Sequence, residues 1–142
     1  MLHLDDFRGE WRLGRRIADH LSGQAGRFDG DARLWRDGDG LRYREEGQLR
    51  LGQGPAFAAH RDYLWLAAGD LIEMRFPDGR PFHNFRPWGR ALGTDHPCGR
   101  DLYRVTYDFT AWPVWTATWW VTGPAKDYEM VSSYARGPRE LA

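Results

Sequence analysis

The chain has little that would mark a secreted, membrane-spanning or nucleic-acid-binding protein. Its 142 residues include a single cysteine, Cys98, so no intramolecular disulfide can form. Twenty acidic residues cancel twenty basic ones, leaving no overall field to attract a polyanion or an anionic lipid surface. No apolar run approaches the roughly 20 residues of a membrane helix. The N-terminal "MLHLDDFRGEW" lacks both the basic start and the apolar stretch of a secretion signal. These absences predict a cytoplasmic protein with neither a nucleic-acid nor a membrane partner. The length suits one domain spanning 1–142. Also missing are the Gly-x-Ser-x-Gly, P-loop, dinucleotide and His-Glu-x-x-His signatures. "HPCGRD" places His96, Cys98 and Asp101 close together, but without the paired Cys/His spacing of a four-ligand zinc site. No metal and no cofactor is therefore expected.

What the sequence does have is aromatic side chains, 15% of the total with eight Trp, punctuated by 17 Gly and 8 Pro. That rhythm predicts short strands joined by turns. "RDGDGLRY" and "FPDGRPF" carry Asp-Gly pairs suited to hairpins. "DLYRVTYDF" alternates, with Asp101, Tyr103, Val105, Tyr107 and Phe109 on one face and Leu102, Arg104, Thr106 and Asp108 on the other. Similar runs occur near 9–17, 26–36, 40–49, 56–67, 71–76, 81–87, 112–122 and 126–136. Only "RRIADHLSGQ" hints at a short helix. The expected fold is all-β, a single antiparallel up-and-down β-barrel of about nine or ten strands, since closure removes exposed edges.

The densest aromatic stretch is "WPVWTATWW", four indoles in nine positions. As a strand it sets Trp115, Ala117, Trp119 and Val121 against Trp112, Val114, Thr116, Thr118 and Trp120. Both faces are apolar, so one should line the barrel and the other should be covered by a helix, a loop or another subunit.

"GEWRL" resembles the Gly-x-Trp of the first strand in lipocalins and related calycin barrels, where the Trp packs beneath a basic residue from the barrel end; Arg136 in "SSYARG" is the candidate. Together, "FRGEWRLGRRI", "GRPFH", "HPCGRDLYRVTYDF" and "WWVTGPAKDYEMVSSYARG" resemble an uncharacterised family of short, mainly bacterial proteins, defined as a domain of unknown function. The resemblance runs nearly end to end and implies a calycin-like barrel. The family supplies no activity or catalytic residue to carry over. Without a secretion signal, a barrel of the fatty-acid-binding or nitrobindin type is the nearer analogue.

Strand parity points Tyr103, Tyr107, Trp119, Tyr128 and Tyr134 into a common interior, with Phe109, Arg61, Tyr63 and Trp65 joining them. Rings supply apolar area, while phenols and a guanidinium orient a polar end. The pairs Arg61/Tyr63 and Tyr134/Arg136 share strand faces, and each suits a carboxylate. Arg136 alternatively closes the barrel over Trp11. Arg61 needs an acidic ligand or an internal carboxylate, for which Asp101 and Glu73 are candidates. His83 is read as a pocket or core hydrogen-bonder, with His83 or His96 as a haem ligand in a second reading. Asp101 is the candidate acid/base of a cavity enzyme, a lyase or isomerase acting on a small aromatic acid, unless it only ties down the "HPCG" loop. Lys126 and Asp127 form another polar cluster. Trp112 and Trp120 suit a protein-interaction surface, including a homodimer. The leading expectation is binding of a small hydrophobic or aromatic molecule, with an acidic or polar end, inside the barrel.

Overall fold

A computed structural model describes residues 1–137. It is an antiparallel meander of eleven strands: β1 (Gly9–Asp19), β2 (Ala25–Asp37), β3 (Gly40–Leu51), β4 (Phe57–Ala68), β5 (Leu71–Arg75), β6 (Pro81–Phe85), β7 (Arg90–Leu92), β8 (His96–Cys98), β9 (Asp101–Asp108), β10 (Trp115–Gly123) and β11 (Lys126–Arg136). Each strand pairs with the next in sequence from β1 to β6 and from β9 to β11. Pairing of β1 with β11 then curls the sheet round. β7 and the short β8 both lie against β9. The open edges, β6 and β7, are bridged where Thr94 donates its backbone N–H to the Asn84 carbonyl at 2.9 Å and its hydroxyl accepts from the Asn84 N–H at 3.0 Å. The result is a nearly closed calycin-like barrel. No helix among the described residues is long and apolar enough to cross a membrane.

Turn chemistry sets the register. Asp37 and Gly40 are cross-strand partners, so Gly38 and Asp39 form a two-residue hairpin loop. Gly38 adopts φ 60°, the backbone that a Gly in the first position of such a turn allows. Gly30 and Gly47 face each other where β2 crosses β3. A Cβ on Gly30 would come within 2.0 Å of the Glu46 carbonyl oxygen, so only glycine permits this close approach.

Two expectations are corrected. "RRIADHLSGQ" is not helical: β1 continues through it to Asp19 and then turns. The Trp-rich strand begins at Trp115 rather than at 112, because Pro113 lies in a preceding turn. That turn folds Trp112 back against Phe7, at 4.9 Å between ring centroids, and Trp11, at 5.5 Å. Trp112 is therefore packed at one barrel end and is not an outer-face anchor.

A 3₁₀ turn, Leu4–Phe7, crosses that same end. It drives the fully buried Phe7 into a cluster of rings, edge-on to Trp65 at 5.3 Å, Trp115 at 5.6 Å and Phe109 at 5.7 Å. Edge-to-face contacts of this kind add to the hydrophobic gain of burying the rings. This end is a solid plug. The space left inside the barrel lies beyond it.

Candidate functional site: the barrel cavity

A cavity of about 100 Å³ opens at the other end. Seven residues expected at the site line it: Arg61, Tyr63, Tyr103, Tyr107, Trp119, Tyr128 and Tyr134. They meet because neighbouring strands hold them in register. Trp119 stands opposite Val105 and Met130, and Val121 opposite Tyr103 and Tyr128. Tyr43 and Tyr63 are likewise cross-strand partners, as are Glu45 and Arg61.

The other three expected residues lie elsewhere. Arg136 caps the plugged end: its guanidinium sits 3.9 Å from the Trp11 ring centroid and donates to the carbonyls of Arg8, at 2.8 Å, and Asp6. It does not reach the cavity, which removes the Tyr134/Arg136 clamp. Asp101 pairs with Lys126 at 3.0 Å, and Lys126 also lies 5.9 Å from the Tyr103 ring centroid. This carboxylate is engaged at the rim rather than pointed at the interior. His83 is buried behind the wall, with Nε2 2.6 Å from the Tyr107 hydroxyl and Nδ1 without a partner among the described residues. Burial, with a contribution from His96, lowers its pKa to about 3, so it is neutral. No histidine is among the residues lining the cavity, so neither His83 nor His96 is placed as a haem ligand there. Glu73 is engaged by Arg75 at 2.7 Å and is not the internal carboxylate.

That carboxylate is Glu45, which the sequence reading missed along with Arg15 and Tyr43. Arg15 grips Glu45 with two parallel bonds, 2.7 Å to Oε2 and 2.9 Å to Oε1, and its Nε donates to Ser132 Oγ at 2.8 Å. The Tyr43 hydroxyl lies 2.7 Å from Glu45 Oε1 and 2.8 Å from the Tyr134 hydroxyl. Glu45 is 3% exposed. Burial works to raise its pKa, but the charge and hydrogen bonds of Arg15, with help from Tyr43, outweigh it and leave the pKa lowered. Burial pushes Tyr134 up to about 12 and raises Tyr43 as well, so both phenols keep their protons. A signal did exist: Trp11, Leu13 and Arg15 share one strand parity, as do Tyr43 and Glu45, which places both charges on inward faces.

The aromatic wall is continuous. Trp115 stacks on Tyr134 with centroids 3.8 Å apart and planes 5° from parallel. Phe82 stacks on Trp119 at 5.1 Å, and Tyr43 on Trp65 at 5.8 Å. The indole nitrogens of Trp65 and Trp115 are buried without a hydrogen-bond partner among the described residues. Met74 and Met130 complete the lining with adaptable side chains. The four indoles of "WPVWTATWW" thus have four surroundings: Trp112 in the end plug, Trp115 in the core, Trp119 at the cavity, and Trp120 on the outer face, 36% exposed.

A nearly closed antiparallel barrel, plugged at one end and hollow at the other, defines a calycin-like protein. Within that class, residues 7–136 match the model of the Family of unknown function (DUF6314), and the chain belongs to that family. Comparison with curated proteins found no match. Among solved structures, the chain is similar to an S-type phycobiliprotein lyase from Guillardia theta, with 10% identity and a TM-score of 0.66, covering 96% of this chain and 92% of that one. It is also similar to a DUF3598-family protein of unknown function from Nostoc punctiforme PCC 73102, with 11% identity and a TM-score of 0.63. There the match covers 96% of this chain but only 50% of the other, so the present chain corresponds to half of that protein. Both likenesses concern the fold.

Proposed function

We propose that this protein binds a small aromatic or hydrophobic molecule with an acidic end, the ring in the cavity and the acid at Arg61 near the mouth. The observation that carries this reading is a charge imbalance. Among the described residues, two arginines line the cavity, Arg15 and Arg61, against one carboxylate, Glu45. Arg15 occupies that carboxylate through both of its oxygens. Arg61, which has Tyr63 as a hydrogen-bonding neighbour and also feels the already committed Glu45 and the like charge of Arg15, forms no ion pair of its own among the described residues. An exposed guanidinium at the mouth, beside aromatic walls, is available to an incoming carboxylate. The void of about 100 Å³ is smaller than the apolar void of about 150 Å³ that takes up benzene, so one ring enters as Met74 and Met130 give way, and the acid extends toward solvent.

The test compares phenylpropionate with its neutral amide by isothermal titration calorimetry. The acid should bind at least tenfold more tightly, a difference of about 1.4 kcal/mol. Arg61→Met should remove that preference while leaving amide binding unchanged. Equal affinity of acid and amide for the unaltered protein would overturn the reading.

A further inference from the structure

We infer that the cavity selects, among aromatic acids, those carrying a hydroxyl on the end of the ring that enters first, because the buried hydrogen-bond chain Glu45–Tyr43–Tyr134 can run in only one direction and ends on a free acceptor. This rests on the reading of the site as an acid-binding cavity and specifies which acids it takes.

Direction follows from the fixed end of the chain. Glu45 receives two N–H bonds from Arg15 and is held as a carboxylate, and a carboxylate only accepts. The Tyr43 hydroxyl, 2.7 Å from Oε1, must spend its single proton there. The contact between the Tyr43 and Tyr134 hydroxyls at 2.8 Å then needs its proton from Tyr134. Tyr134 has no proton left to offer, and its oxygen accepts nothing from the protein among the described residues. Since Tyr134 lines the cavity, its vacant lone pair calls for a donor on the ligand.

An ether or ketone would place lone pairs against the Tyr134 oxygen, and an unsubstituted ring would leave that oxygen unmet.

Phenylpropionate, para-hydroxyphenylpropionate and its para-methoxy ether form the probe set, titrated calorimetrically into the full chain. The hydroxyl compound should bind about tenfold more tightly than either of the others, the effect of one satisfied buried hydrogen bond. Tyr134→Phe should abolish that preference, bringing the hydroxyl compound to within about twofold of phenylpropionate measured on the same variant. Tyr43→Phe gives a second readout: with Tyr134 released from donating to Tyr43, its proton can turn to the ligand, and the hydroxyl-to-methoxy ratio should fall toward one. Circular dichroism melts confirm that the variants fold. A hydroxyl preference that survives in Tyr134→Phe overturns the inference, as does equal binding of the three acids to the unaltered protein, although acid binding itself then stands. Failure of every acid to bind overturns both readings.

Discussion

Arg136 sits over Trp11, with its guanidinium carbon 3.9 Å from the ring centroid, while the two residues stand opposite each other on β11 and β1. This contact sits on the seam that joins the last strand to the first and therefore closes the sheet into a barrel. Arg136 also ties down the backbone of the entering segment through the carbonyls of Asp6 and Arg8. Trp11, wholly buried, donates its indole N–H to the Phe7 carbonyl at 2.9 Å.

Arg136→Met should lower stability by about 1–2 kcal/mol, the combined effect of one cation–π contact and two partly exposed hydrogen bonds. Ligand affinity should not change, because the residue is at the opposite end from the cavity. Chemical denaturation alongside calorimetric titration of the same variant checks both statements. A variant of wild-type stability with weakened binding would contradict this assignment.

Much of the barrel was legible in the sequence because alternation and turn chemistry are local properties. Tyr103 and Tyr107 show their inward face in "DLYRVTY" alone, and Gly38 marks its hairpin without any knowledge of the partner strand. Two kinds of information were not local. Trp112 was assigned by parity to the outer face, but parity does not carry through the turn at Pro113, and the chain folds the ring under the barrel. Arg15 and Glu45 lie 30 residues apart on strands that β2 separates. Parity puts each on an inward face, but only the curled sheet brings them together as a pair. The site was thus visible in its rings and hidden in its charges.

Glu45→Gln tests the buried pair. Removing the charge of one partner leaves Arg15 buried against a neutral amide, and loss of about 3–5 kcal/mol is expected. The double replacement Arg15→Met with Glu45→Met should recover most of this, because no uncompensated charge is left behind. Urea denaturation of the three variants gives the comparison. If the double variant is as unstable as Glu45→Gln, the network stabilises through more than its charge balance.

His83 gives the fold an acid-sensitive element. Its pKa falls from 6.5 to about 3 on folding, so between these values the unfolded chain binds a proton that the native state refuses. Stability must then rise with pH across this window and fall as pH is lowered from 6.5 toward 3. The full effect is on the order of 5 kcal/mol. In His83→Gln the slope of unfolding free energy against pH should flatten by up to one proton across the upper part of the window. An unchanged slope would show that the imidazole takes up its proton without unfolding.

Trp119 separates a packed wall from a binding surface. It touches Phe82 in a stacked arrangement and His83 edge-on at 4.9 Å, yet it also lines the cavity and is only half-buried. A fully packed indole replaced by alanine typically costs about 3–5 kcal/mol. Here one side of the ring already faces open space, so Trp119→Ala should lose about 3 kcal/mol or less, because fewer packed neighbours are abandoned. Ligand affinity should fall by at least tenfold, since the ring supplies stacking area to an aromatic guest. Trp119→Phe should restore part of both, more of the binding than of the stability, because a smaller ring still offers a face to the ligand but fills less of the gap beside Phe82. A loss of 5 kcal/mol or more with unaltered affinity would mean that Trp119 belongs to the core and that the ligand contacts the opposite wall.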